Sequence, residues 1–376
     1  MLIGALKEDN KEDCRVSISP ETCKKFVEKG LQVVIQQGAG NASNYKDEEY
    51  VSSGAKLEES SENIIKKIDI LLSVSTIPSE SLISMMKNEA IIIGTFNPYE
   101  KSHALKRLIT KKLNVITLDF LPRISRAQSM DVLSSQSNLA GYKAVIEAAN
   151  LFKKAMPMMM TAAGTIIPAK CLIIGAGVAG LQAIATAKRL GCVVSAFDVR
   201  PEVEDQVKSL GSKFIKVEND SKEEFSSEGY AKEMSDSYKK KQLDKIHSVA
   251  IDSDIIITTA LIPGKEAPKL ILSKTIKEMK KGSVIVDLAG ISGGNAEGSS
   301  FGEIVEVDNT LIYAPKNLPS LLANDASLLY SKNLLNFLLQ FVGNTKNFDL
   351  NTDDEIVKNT LIIKDGKKSS IFFEER

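Results

Sequence analysis

The stretch from Cys171 to Asp198 holds the residues most able to do chemistry. Gly175, Gly177 and Gly180, with Ala176, Val178 and Ala179 between them, form a GxGxxG run. The run follows the apolar segment Cys171 to Ile174 and opens a helical pattern. In a dinucleotide-binding βαβ unit each glycine has a task. The first permits the tight strand-to-helix turn, the second lets backbone N–H groups approach a pyrophosphate, and the third lets helix and strand pack closely. The helix N-terminus then faces an anion. Asp198 lies eighteen residues beyond Gly180, at the end of the segment Cys192 to Phe197. A carboxylate at that distance accepts hydrogen bonds from a ribose diol and repels a 2′-phosphate, which favours NAD(H) over NADP(H). Arg200, two residues on, tempers that preference. The plainer reading of the glycines, a turn that only packs a helix on a strand, is weakened by the strand before, the helix after and the acid in place.

Other polar residues are sparse. The two histidines, His103 and His247, sit in polar helical surroundings with no nearby partner for general-base work, and are expected at the surface. There is no serine elbow, HExxH motif or carboxylate pair. An alcohol or amine dehydrogenase must remove a proton as well as a hydride and needs a positioned base. Hydride exchange between two nicotinamides releases no proton at the reacting carbons and asks chiefly for alignment and dryness. One further dense cluster, Pro122 to Asp131, follows a strand ending at Phe120. Arg123, Gln128 and Asp131 offer it a cationic donor, an amide and a carboxylate, a set suited to a carboxamide and hydroxyls. Helix capping by Ser129, Asp131 or Ser134, with the arginines solvated, is the plainer alternative.

The elements that must position these residues alternate. Strands are expected at Leu2–Leu6, Leu31–Gln36, Ile68–Val74, Ala90–Phe96 and Val115–Phe120. A second series runs Cys171–Ile174, Cys192–Phe197, Lys213–Val217, Asp254–Thr259, Ser283–Leu288 and Leu311–Ala314. Continuous apolar strands alternating with helical patterns imply parallel sheets covered on both faces. Long helical patterns at Ser135–Met156 and Leu321–Phe341 suit crossings between domains. In the tail, Asp365-Gly366 between Thr360–Lys364 and Ser369–Phe373 marks a hairpin. The expected fold is α/β: two doubly wound, Rossmann-like domains joined by two long helices with a cleft between them. The first would comprise residues 1–136 with 321–376, the second 137–320. The polar excursion between Val217 and Ile246 carries Gly229, Tyr230 and Met234 and fits equally a lid over a nucleotide or a solvated insertion.

The 376 residues suffice for two cores. Forty-eight basic and 48 acidic residues cancel, so no global field favours nucleic acid or an anionic membrane. Cys14, Cys23, Cys171 and Cys192 show no CxxC pair and no metal-ligand spacing and read as reduced cytosolic thiols. The opening MLIGALKEDN reads as a first strand, not a signal peptide. The uncharged stretch Cys171 to Ala187 is too short and too glycine-rich to span a bilayer.

Several longer motifs carry a resemblance. The segments PRISRAQSMDVLSSQSNLAGYKAV, MTAAGTIIPAKCLIIGAGVAGLQAIATAKRLG, GYAKEMSD, TTALIPGK and GSVIVDLA together resemble the NAD(H)-binding component of proton-translocating nicotinamide nucleotide transhydrogenases, in the form made as a separate soluble alpha chain. The likeness is strongest from Asp119 to Leu288. It implies that Arg123, Gln128, Asp131 and Ser134 hold the nicotinamide end of NAD(H), with Ile124, Ser125, Ser129 and Met130 in the same loop. Gly175 to Gly180 would take the pyrophosphate, and Asp198, Val199 and Arg200 the adenosine ribose. Tyr230 would close a lid with Gly229 and Met234, with Gln242 nearby and Leu261 beside the nicotinamide. It further implies a homodimer in the cytoplasm, held at the inner membrane by an NADP(H)-binding beta subunit and a membrane-spanning subunit. Hydride would pass directly between NAD(H) here and NADP(H) there (the Re/Si-specific reaction), coupled to proton translocation.

The nearest alternative class is alanine dehydrogenase, whose opening pattern KExxxxxRV stands here as Lys7-Glu8 and Arg15-Val16. That family's lysine, histidine and aspartate align with Ser73, Asn97 and Ile291, three departures that remove titratable groups. Arg15 would then be a structural remnant paired with an acid such as Glu8. A non-enzymatic NAD(H)-binding regulatory module is the third reading.

Overall fold

In the computed structural model, residues 1–8, 12–98, 102–217, 236–262, 264–342, 348 and 350–369 are described. The first strands are β1 Leu2–Ala5, β2 Gln32–Gln36, β3 Lys56–Glu58, β4 Ile70–Leu72, β5 Ile91–Gly94 and β6 Asn114–Thr117. Next come β7 Met159–Thr161, β8 Gly164–Ile166, β9 Lys170–Ile174, β10 Val193–Phe197, β11 Lys213–Phe214, β12 Ile255–Thr258, β13 Val284–Asp287, β14 Ile304–Val307 and β15 Thr310–Tyr313. The tail adds β16 Leu361–Lys364 and β17 Lys367–Lys368. The chain divides into two compact units, Met1–Gln136 with Pro319–Arg376, and Ser137–Leu318.

The first unit is built on a sheet ordered β17-β16-β6-β5-β4-β1-β2-β3, parallel from β1 to β6, with β16 and β17 antiparallel at one edge. Its central strands are runs of isoleucine, leucine and valine, so alternate side chains fill two cores. Ile91, Ile93 and Ile116 face one core, and Ile92 and Val115 the other. This double burial is what a parallel sheet requires. The second unit repeats the winding in the order β11-β10-β9-β12-β13-β15-β14, with β14 the single antiparallel strand. Ile173 and Ile257 face one side of its sheet, Leu172 and Ile256 the other. In each sheet the order reverses beside the first strand, between β1 and β4 and between β9 and β12. Such switch points leave a crevice at the strands' carboxyl ends.

The helix Val132–Leu151 contains the boundary between the units. The chain returns at Leu318–Pro319, just ahead of the helix Ala323–Phe341, which lies wholly within the first unit. Tyr330, Leu334, Phe337 and Leu338 from this helix fill that unit's core. Thus only one of the two long helices carries the chain between units. Asp365 and Gly366 take φ of +50° and +72°, the backbone a two-residue hairpin turn demands, between β16 and β17. The second hairpin strand begins at Lys367, two residues ahead of the expected Ser369, and residues 370–373 lie outside the described residues. Strands β3, β7, β8 and β14 were not expected from the sequence; β3 is short and polar, and β7 and β8 are short and fully exposed.

Candidate functional site

The glycine run occupies the switch point of the second unit. Gly175 leaves β9 at φ +96°, a left-handed value that disfavours any side chain, and a Cβ there would strike Thr259 Oγ1 at the end of β12. Thr259 Oγ1 donates to the Gly175 carbonyl at 3.1 Å and closes the turn. Gly180 sits in the first turn of the helix Val178–Arg189, where a Cβ would overlap the Gly175 carbonyl oxygen. Gly141, on the helix Val132–Leu151, packs its bare Cα against the Ala179 carbonyl in the same way. Three of these four glycines are therefore demanded by the protein's own packing.

Gly177 is the exception. As N-cap of the helix it has φ −76° and ψ −165°, open to any residue, and the nearest atom to a Cβ there would be Arg200 Nη2 at 3.9 Å. Gly177 has no side chain to cap this helix, so among the described residues its first-turn N–H groups lack a side-chain cap. Helix N-termini with unmet donors bind anions through those N–H groups and the helix dipole.

Asp198, just beyond β10, is 6% exposed and already fully engaged. Its Oδ2 accepts from Ala176 N–H at 2.7 Å and from Arg200 Nη2 at 2.9 Å. Its Oδ1 accepts from Arg200 N–H at 2.9 Å and Arg200 Nε at 3.0 Å. The carboxylate expected to await a ribose thus carries a bidentate guanidinium. Val199 is half-buried against the core below. Gln242 is buried on the helix Asp236–Ala250, and Leu261 is exposed after β12, on a loop that Asn295 holds by accepting from Ala260 N–H and donating to Ala260 and Pro268 carbonyls. Gly229, Tyr230 and Met234 lie outside the described residues.

The second cluster belongs to the first unit. After β6, residues Ser125–Met130 form a 3-10 turn anchored by buried Ala127 and Met130, with Ile124 packed on the core. Asn333 and Asn336 each donate to the Ser129 carbonyl, at 2.9 and 3.0 Å. Asp131 then caps the helix Val132–Leu151: its Oδ1 accepts from Ser134 N–H at 2.9 Å and its Oδ2 from Ser134 Oγ. The capping reading of the sequence therefore holds for Asp131, while Ser134 is the capped partner. Arg126 is not left to solvent but forks Asp354 at 2.7 and 2.9 Å, which lowers the Asp354 pKa and raises that of Arg126. Arg123, Ser125, Gln128 and Ser129 are exposed on the same turn. Beneath it, burial pushes the Asp119 carboxyl up, against hydrogen bonds from Thr117 Oγ and from Phe96 and Asn97 N–H.

Two expectations need correction. His247 does have partners: Nδ1 lies 3.0 Å from Thr275 Oγ1 and Nε2 3.4 Å from Glu278 Oε2. Arg15 pairs not with Glu8 but with Asp13, whose two oxygens take Nε at 2.8 Å and Nη2 at 2.5 Å, while Nη1 reaches Gln136. Glu8 instead accepts from Ser73 Oγ and the N–H groups of Val74, Ser75 and Thr76. The side chain of His103 lies outside the described residues. Among the described residues no group of three or more histidine, cysteine or acidic side chains could hold a metal, and no helix is long and apolar enough to cross a membrane. Burial raises the Cys23 and Cys192 thiols to about 11, so neither is a ready thiolate.

Models of the alanine dehydrogenase/PNT N-terminal domain and C-terminal domain match residues 4–140 and 144–370. The chain belongs to the alanine dehydrogenase/PNT family. Within it, the chain is 45% identical over 381 aligned positions to an NAD(P) transhydrogenase subunit alpha of Rickettsia prowazekii, covering 100% of this chain and 98% of that one. The crystal structure of transhydrogenase from Sinorhizobium meliloti superposes with a TM-score of 0.88 at 43% identity, over 98% of this chain and 100% of the other. An L-alanine dehydrogenase structure superposes at 0.82 with 22% identity, covering 98% and 96%, a likeness of fold alone. Family membership accounts for the repeated winding of the two units. Thr259 and Gly141, which shape the glycine turn, were not singled out in the sequence. Thr259 lies in the TTALIPGK segment and Gly141 in PRISRAQSMDVLSSQSNLAGYKAV, motifs that do not by themselves mark either position.

Proposed function

We propose that this chain is the NAD(H)-binding alpha subunit of a proton-translocating transhydrogenase, passing hydride directly between NAD(H) on this chain and NADP(H) on a beta subunit. The observation that carries the reading is the open space at Gly177. Packing explains Gly175 and Gly180, whereas no neighbour crowds a side chain at Gly177, and the close approach of a ligand is a reason for one to be lacking there. NAD(H) supplies the hydride chemistry, and the protein's role is to hold and align it. The N–H groups at the start of the helix Val178–Arg189 receive the pyrophosphate, and Asp198, Val199 and Arg200 the adenosine ribose. Arg123, Gln128, Asp131 and Ser134 hold the nicotinamide end, with Ile124, Ser125, Ser129 and Met130 shaping their turn. Gln242 and Leu261 line the remainder, and Gly229 and Tyr230 form a lid. Asp131 acts by fixing Ser134 and the helix start, since its oxygens are committed to that cap.

The same reading includes a homodimer, in the cytoplasm and tied to the membrane through its partner subunits. Every residue from 158 to 167 is exposed, among them Met158, Met160 and Ile167 at 60%, 79% and 79%. No charged residue lies between Lys154 and Lys170. A lone two-stranded hairpin is marginal in water, and an uncharged apolar one is a natural self-association surface.

Amino-acid dehydrogenation is the weaker reading, because the buried Arg15 is already satisfied by Asp13 and Gln136. Titrating NADH and NADPH against the purified chain, then mixing it with a transhydrogenase NADP-binding domain, tests the proposal. NADH should bind in preference, and an NADP analogue should be reduced steadily only in the mixture. Rapid turnover of alanine by the chain alone would refute it.

A further inference from the structure

We infer that Arg200 is a masked receptor for a 2′-phosphate, and that Asp198 excludes the phosphorylated coenzyme by sequestering this arginine. The inference rests on the assignment of the adenosine ribose to Asp198.

A bare carboxylate beside a ribose discriminates by repulsion, but Asp198 is not bare. A carboxylate has about four acceptor positions, and four donors fill them: Ala176 N–H, Arg200 N–H, Arg200 Nε and Arg200 Nη2. The side-chain component is a planar fork, the geometry in which guanidinium and carboxylate pair most strongly. The pair is formally neutral, so its repulsion of a phosphate is much weaker than that of Asp198 alone. What it withholds is the guanidinium, the group best matched to a phosphate's geometry. Arg200 is 21% exposed, and its Nη2 lies 3.9 Å from where a Cβ at Gly177 would stand, so the guanidinium borders the space assigned to the nucleotide. A ribose diol hydrogen-bonding to Asp198 must share the carboxylate with the fork. A 2′-phosphate must instead compete with Asp198 for the Nε–Nη2 edge of Arg200. Arg200 is thus a specificity-determining residue, and its contribution is hidden while Asp198 is intact.

Full-length wild type, Asp198→Asn, Arg200→Ala and the double variant would be titrated with NADH and NADPH by coenzyme fluorescence, with thermal melting to establish that each is folded. Asp198→Ser replaces Asp198→Asn if the amide variant does not fold. Asp198→Asn should lose NADH affinity and gain NADPH affinity, narrowing the preference by roughly tenfold to a hundredfold, the range of one or two charge-assisted hydrogen bonds. The gain should vanish in the double variant. Adenosine 2′-monophosphate should compete better than the 5′-monophosphate only where Arg200 is present and Asp198 is not. A gain in NADPH binding that survives removal of Arg200 would mean simple charge repulsion and would overturn the inference, as would no gain at all. Failure of the wild type to bind NADH would instead sink the assignment of the nucleotide site itself.

Discussion

Replacing Gly177 by alanine separates the two reasons a glycine can be required. A methyl group at 177 meets nothing nearer than Arg200 Nη2 at 3.9 Å, and φ −76° with ψ −165° suits alanine. Two small effects then act on stability. Alanine is a poorer N-cap than glycine, by about 0.5–1 kcal/mol. Against this, it narrows the unfolded ensemble by about 0.4–1 kcal/mol. These offset, so the folded chain should melt within a few degrees of wild type, at about 2–4 °C per kcal/mol for units of this size. Coenzyme binding has no such compensation. The methyl stands where a pyrophosphate would approach the N–H groups of the helix start, and losing one charge-assisted hydrogen bond costs about 1.5–3 kcal/mol, or roughly ten- to a hundredfold in affinity. Gly180→Ala is the contrasting control. Its Cβ would overlap the Gly175 carbonyl oxygen, so helix and strand must move apart, at a cost of about 1–3 kcal/mol in stability. Paired thermal melts and NADH fluorescence titrations read both quantities. A Gly177→Ala chain that melts normally and binds NADH as tightly as wild type would refute the claim that this space receives the nucleotide.

Gln128→Ala, at an exposed position on the Ser125–Met130 turn, should slow hydride transfer in the reconstituted complex more than it weakens NADH binding; equal losses in single-turnover rate and dissociation constant would mark it as a simple binding residue. Arg15→Ala strips the partner from Asp13, where the pair is 9% and 4% exposed, and should cost about 3–5 kcal/mol in urea unfolding, whereas a loss under about 1 kcal/mol would contradict a buried, uncompensated carboxylate. Met160→Lys with Ile167→Lys, at exposed hairpin positions, should leave circular dichroism unchanged and convert a sedimenting dimer to monomer; an unaltered dimer would place the interface elsewhere. The Arg126–Asp354 fork lowers the Asp354 pKa, so its stabilisation is present above the unfolded carboxylate value near 3.9 and is lost as pH falls through the folded one. Arg126→Ala should therefore cost about 0.2–1 kcal/mol at pH 7 and nothing measurable at pH 2, and a pH-independent loss would count against the pairing.

Legibility from the sequence followed the range of the interaction. The central strands of both sheets and the glycine turn could be read because β-branched runs, helical spacing and the φ demands of glycine act over a few adjacent residues. Asp131 and Ser134, three positions apart, form a cap that local pattern also suggests. The helix Ala323–Phe341 was legible as a helix. Its place inside the first unit was not, because an apolar face does not say which core it enters.

What the chain determined by itself is therefore the repeated α/β winding, the glycine turn at Gly175 to Gly180, and the scarcity of acid–base groups. Tertiary structure decided the long-range partners of the charges, whereas the Arg15–Asp13 and Arg200–Asp198 pairs join residues two apart. Arg126 finds Asp354 across 228 residues, Arg15 turns to Asp13 and to Gln136 across 121, and His247 meets Thr275 and Glu278. At Asp198, tertiary structure adds to the local Arg200 pair the Ala176 N–H that shares its carboxylate. A charged side chain is long, flexible and indifferent to its sequence neighbours, and its partner is fixed by which donors and acceptors the packed backbone brings within about 3 Å.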